Sequence, residues 1–138
     1  MIDWLTLHIG ALVLVAALFG GMLFFMAVFT PLIFRKLPEG TAPPFLREVF
    51  PVYYRTCGLL ALLSALPLVP AHAYPSEIMI LLLVAAGFVI ANKVLRPAID
   101  RARGAGNDER FRFLHRASVG LHLVQFIAVS FVLVRLAQ

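Results

Sequence analysis

Residues 93–116, KVLRPAIDRARGAGNDERFRFLHR, decide how this chain folds, because they hold seven of its twelve Lys and Arg residues between two long apolar runs. A smaller cationic window, Arg35, Lys36, Arg47 and Arg55, precedes it, and Arg135 stands apart near the end of the sequence. Moving Lys or Arg across a bilayer is costly and opposed by the membrane potential, so cationic loops stay on the cytoplasmic side. Two cationic loops separated by apolar sequence therefore predict an integral membrane protein with two cytoplasmic loops. An even number of spans then puts both termini on the extracytoplasmic side.

Composition agrees with this reading. The chain has 138 residues, the length of one domain, and is 62% hydrophobic with 14% charged residues. Its pI near 10.2 comes from charge next to apolar spans. The partner this implies is the anionic headgroup layer at the cytoplasmic loops, not nucleic acid. Cys57 is the sole cysteine, which excludes an intramolecular disulfide. Met1-Ile2-Asp3-Trp4 lacks the basic start of a cleaved signal peptide, so the first span is expected to be retained.

Working outward from the cationic windows gives four spans, about 3–34, 51–69, 77–96 and 114–136, with cytoplasmic loops 35–50 and 97–113. Thr41 is expected to cap the second helix, with Pro43 and Pro44 in its first turn. Ser76 is expected to cap the third, with Glu77 suited to its positive end. The third helix should pass Pro97 and stop at Gly104-Ala105-Gly106, and Asn107 or Asp108 should cap the fourth. Short connections make sequential helices antiparallel neighbours, which predicts an all-α, up-down four-helix transmembrane bundle. Ala16/Gly20, Ala17/Gly21, Cys57/Ala61 and Ala61/Ala65 have the four-residue spacing that allows close helix packing.

The fourth span carries the candidate site. His115, Ser118, His122 and Gln125 fall within an arc of about 80° at 100° per residue, a polar stripe that lipid cannot satisfy. Asn92 and Thr30, Tyr53, Tyr54, Cys57 and Ser64 lie in the same half of the membrane by residue counting, which predicts a polar chamber opening to the cytoplasm. These groups serve either as interhelical hydrogen bonds or as a proton path or ligand pocket. A metal or haem site is the third alternative. His115 and His122 are about 10 Å apart along one helix and cannot share an iron, which leaves Met26 as a weak partner for His122. On the other side, His8, His72 and Met79 would suit copper if they converged. No cofactor is the simplest expectation, with copper or haem as the alternatives.

No nucleophile–base–acid set appears. Glu39, Glu48, Asp100, Asp108 and Glu109 sit in or beside the cationic loops as partners for Arg and Lys, and no carboxylate is expected deep in the membrane. The expectation is a protein that is not an enzyme.

Leu7-His8 with Gly20-Gly21 and Phe24-Phe25, then Phe34-Arg35-Lys36-Leu37-Pro38, Phe50-Pro51-Val52-Tyr53-Tyr54, Leu95-Arg96-Pro97 and Phe113-Leu114-His115 with Ser118, occur in an order that resembles the transmembrane protein 205-like family, the domain of unknown function numbered 4149. The opening His and Gly-Gly run is more loosely similar to copper-resistance D-type membrane domains. The resemblance implies a small four-helix membrane protein, with metal resistance among the roles associated with the family. It places His8, His115 and Ser118 at recurring positions, and His122 where an asparagine is common. The expected function is an accessory subunit or scaffold in a larger membrane complex or homo-oligomer, in the inner membrane of a bacterium. The alternative is handling of a small solute, a proton or a metal.

Overall fold

The computed structural model describes residues 3–138, and all regular structure in them is helical. Four helices are long and apolar enough to cross a membrane: α1, Trp4–Lys36; α2, Ala42–Ala71; α3, Pro75–Gly104; and α4, Asp108–Ala137. At about 1.5 Å per residue, α1 runs about 50 Å against a hydrocarbon core of about 30 Å, so it projects beyond the core. The other helices do the same, and α2 begins nine residues before the expected second span.

Local chemistry sets the ends. Asp3 caps α1, accepting hydrogen bonds from the Thr6 hydroxyl at 2.7 Å and the Thr6 N–H at 2.8 Å. These bonds, the hydroxyl's first, hold the Asp3 carboxyl below its ordinary range. Asn107 caps α4 through the Arg110 N–H, as expected. Gly106 turns the chain between α3 and α4 at φ +67°, where a side chain would be strained. Two expected caps are corrected. Thr41 precedes α2, but its hydroxyl donates backwards to the Pro38 carbonyl at 2.6 Å. Ser76 lies inside α3, which starts at Pro75, and its hydroxyl donates to the Glu77 carboxylate at 2.7 Å.

Two prolines inside spans are accommodated in the same way. A proline ring clashes with the carbonyl four residues back, and proline cannot donate to it. Ahead of Pro31 the helix widens into a π-turn at Phe25–Phe29, and ahead of Pro97 into one at Ala91–Leu95. The extra residue in each wider turn displaces the obstructing carbonyl, so both helices continue past the proline.

Each helix packs on its neighbours in sequence, and α1 packs on α4 to close the ring. Among the described residues, the backbones of the diagonal pairs α1–α3 and α2–α4 make no close approach. The core runs along inward positions three or four residues apart: Ala11, Val15, Leu18 and Met22 on α1, answered by Val129, Val132 and Leu136 on α4. Cys57, Ala61 and Ala65 of α2 are buried, and on the same helix Gly58 faces α3, where a Cβ on it would lie 3.4 Å from that of Phe88. Small residues thus bring α2 and α3 close, as the four-residue spacing predicted. Ala16, Ala17, Gly20 and Gly21 are different: all four are exposed on the outer surface of α1.

The non-cationic end is tied by polar contacts. Trp4 stacks on Tyr74, and His8 Nε2 lies 2.8 Å from the Leu136 carbonyl. Glu77, 1% exposed, accepts a hydrogen bond from Arg135 Nε at 3.0 Å. A carboxylate buried within the bundle was not foreseen. The signal was present in the sequence, since the one isolated cation, Arg135, lies at the same end of its span as Glu77.

Candidate functional site

Toward the cationic end the four helices part around a cleft of about 590 Å³. This volume falls within the range of roughly 300–1,000 Å³ usual for small-molecule sites. Every helix contributes to its lining: α1 through Phe25, Met26, Thr30 and Phe34; α2 through Leu46, Arg47, Phe50, Tyr53 and Tyr54; α3 through Arg96, Ile99, Asp100 and Arg103; and α4 through Phe111, His115, Ser118, Val119, His122 and Leu123. The walls are mainly aromatic and aliphatic, and the formal charges lie at the mouth.

The floor is a bond across the diagonal of the ring. Tyr53 Oη on α2 lies 3.1 Å from His122 Nε2 on α4. Phe25 stacks on the Tyr53 ring with centroids 3.8 Å apart, and Phe88 meets the Tyr53 ring edge-on. His122 is thus held between Tyr53 and Phe88, its ring 6.1 Å from that of Phe88. Since the backbones of α2 and α4 do not meet, these side chains bridge the centre of the bundle and separate the packed core from the open cleft.

The stripe on α4 therefore serves two layers. Above the floor, Gln125 is buried and donates from Nε2 to the Val84 carbonyl on α3 at 2.9 Å. Gly87 makes room for it, since a Cβ there would lie 2.6 Å from Gln125 Nε2. Below the floor, Ser118 is half-buried and His115 is exposed, stacked on Phe111 one turn earlier. His115, Ser118 and His122 share the cleft; Gln125 does not line it. Asn92 is buried in the α3 π-turn and accepts from Arg96 Nε at 3.3 Å, but it faces a separate groove between α2 and α3 beside Arg55 and Lys93. A cleft lies where His115, Ser118 and His122 come together with Thr30, Tyr53 and Tyr54, but its walls are mainly apolar, and Cys57, Ser64, Asn92 and Gln125 of the expected polar chamber do not line it.

Arg47, Arg96 and Arg103 stand at the mouth, and sequence reasoning treated them only as markers of loop charge. Arg96 pairs with Asp100 at 3.9 Å, and the Arg103 guanidinium lies 4.9 Å from the centre of the Phe111 ring.

A family model described as "Domain of unknown function (DUF4149)" matches residues 13–108. The chain belongs to this family. The DUF4149 match takes in the α1, α2 and α3 walls of the cleft and the Arg mouth, and ends at the start of α4. No curated protein and no solved structure matches the chain.

The remaining candidate ligands of this DUF4149 protein lie at the opposite end. His8 Nε2 is engaged by the Leu136 carbonyl, and the rings around it are Trp4 and Tyr74. His72 ends α2 in a left-handed conformation at φ 51° and is exposed, and Met79 is 58% exposed on α3. Among the described residues, no three His, Cys, Asp or Glu side chains stand close enough together to hold a metal ion. Met26 and His122 both line the cleft, but His122 Nε2 is already engaged by Tyr53.

Proposed function

We propose that this protein acts by binding rather than by turnover, taking a small, largely apolar molecule into the cleft between its four helices. The observation that carries this reading is an open cleft of about 590 Å³ lined by all four helices, with aromatic walls and a Tyr53–His122 floor. No cofactor is needed for such a role, and copper or haem would need ligands that the cleft residues do not group together. The motif order that resembles the transmembrane protein 205-like family, and the opening His and Gly-Gly run that is more loosely similar to copper-resistance D-type domains, support a link to metal resistance at the level of resemblance alone.

The test is photolabelling of the purified chain in micelles with an aryl diazirine carrying an apolar tail. Label is expected on Leu46 and Tyr53, and Ser118→Trp, which fills the cleft, should cut it about tenfold. Label confined to lipid-facing positions such as Val28, and unchanged by Ser118→Trp, would sink the reading.

The Lys/Arg bias supports a cytoplasmic cationic end and extracytoplasmic termini; the location we propose is the inner membrane of a bacterium. In a Cys57→Ser background, single cysteines at Ser76 and Gly106 should react with a membrane-impermeant maleimide from opposite sides. Reaction of both from outside would reverse the orientation.

A second reading, an accessory subunit or scaffold, is favoured by the small-residue surface of α1. Nothing lies within 4 Å of a Cβ placed on Gly20 or Gly21, and such surfaces admit a second helix closely. Co-purification in mild detergent tests it, and recovery of the chain alone would count against it.

A further inference from the structure

We propose that the cleft is a lipid site, taking an acyl chain between its aromatic walls and holding that lipid's anionic phosphate headgroup with Arg47, Arg96 and Arg103. The inference rests on the cleft-binding reading above and adds the chemical class of the ligand.

Polarity is distributed unevenly along the cleft. From Phe111 to His122 the α4 wall is about 16 Å long at the helical rise, with charge at one end and aromatic side chains through its depth. A wholly apolar ligand would leave the charged mouth unused, and a small polar solute would find few partners below it. A molecule with an apolar chain and a charged head matches both ends.

Charge fixes the sign of the head. Three arginines line the mouth against one carboxylate, Asp100, which is shared with Arg96. Among the described residues, neither Arg47 nor Arg103 makes an ion pair. Guanidinium groups present forked N–H donors that match phosphate oxygens, and the Phe111 ring under Arg103 supports that guanidinium without neutralising it. The three come from two helices, α2 and α3, so they can approach one headgroup from different sides.

Position fixes the source. The mouth lies at the end of the bundle where the cationic loops gather, the end that the Lys/Arg bias assigns to a headgroup layer, and among the described residues the Phe25–Lys36 half of α1 makes no close approach to α4, which leaves the cleft open between them. A lipid can therefore enter sideways, with its chain remaining in an apolar medium throughout.

The test is native mass spectrometry of the full chain released from nanodiscs of equal phosphatidylglycerol and phosphatidylcholine with the same acyl chains. One phosphatidylglycerol should be retained per chain, with about tenfold or greater preference. Each basic residue near an anionic headgroup contributes several-fold, so Arg47→Ala/Arg96→Ala/Arg103→Ala should abolish the preference. Arg47→Ala/Arg103→Ala, which spares the Arg96–Asn92 bond, should lower it in the same direction if the triple variant folds poorly. Arg47→Lys/Arg103→Lys should keep most of it. Equal retention of the two lipids by the wild type, or an unchanged preference in both alanine variants, would overturn the headgroup site and assign the arginines to bulk lipid. The cleft reading would survive that result if Ser118→Trp and Ser118→Leu still expelled the lipid. Retention of lipid by both Ser118 variants would overturn lipid binding in the cleft altogether. Displacement of the retained lipid by excess inorganic phosphate would overturn the lipid assignment in favour of a free anion.

Discussion

Arg135→Ala is expected to destabilise the bundle by about 2–3 kcal/mol, read from unfolding of the purified protein in mixed micelles. Removing one partner of a buried ion pair leaves the other charge without compensation, at about 3–5 kcal/mol. The lower figure follows because Arg135 is half exposed while Glu77 is 1% exposed. Glu77→Gln should cost less, since the amide oxygen still accepts from Arg135 and no charge is left buried. Glu77→Leu/Arg135→Ala should recover most of the loss, because a buried pair can often be exchanged for apolar packing. The contrast with Arg112→Ala, an exposed arginine beside the opposite end, is decisive. If Arg135→Ala costs no more than Arg112→Ala, the ion pair does not hold the helices together.

Phe88→Ala should be comparably damaging, by about 2–3 kcal/mol in the same assay. Truncating a buried Phe in a water-soluble core costs about 3–5 kcal/mol, part of it the transfer of apolar surface from water. In a membrane that part shrinks, since the separated helices would expose Phe88 to lipid, and the lost contacts and the cavity remain. Phe88 is 1% exposed and meets Tyr53, Tyr54 and His122, so the void would open beside the cleft floor. Phe88→Leu should cost about half as much. A cost for Phe88→Ala no greater than for the lipid-facing Val28→Ala would refute this account of the core.

The number of helices and their alternating course were legible because they depend on crude quantities: apolar length, and where Lys and Arg are absent. The fates of single polar residues were less legible. Residues 115, 118, 122 and 125 do share a direction on α4, but periodicity gives a direction and not a partner. Gln125 meets the Val84 carbonyl because Gly87 leaves space for it, and His122 meets Tyr53 because the diagonal helices stand apart. Asn92 shows a second limit. Residue counting gave its depth but not its direction, and it faces the groove between α2 and α3 rather than the cleft. The prolines four residues after the obstructed carbonyls were visible, but how the chain would accommodate them was not. Arg47, Arg96 and Arg103 were read as topological signals, which concealed that the fold gathers them round one opening.

The Glu77–Arg135 contact also bears on how the protein is made. Its partners are 58 residues apart, and ribosomes add about 5–20 residues per second. For about 3–12 s of synthesis, α3 exists with its carboxylate while the arginine that will answer it has not been translated. During that interval the growing chain holds a membrane segment that cannot yet settle against its last neighbour. Glu77 can meet Arg135 only once the distal end of α4 has been made, so the direction of translation sets this contact among the last that can form.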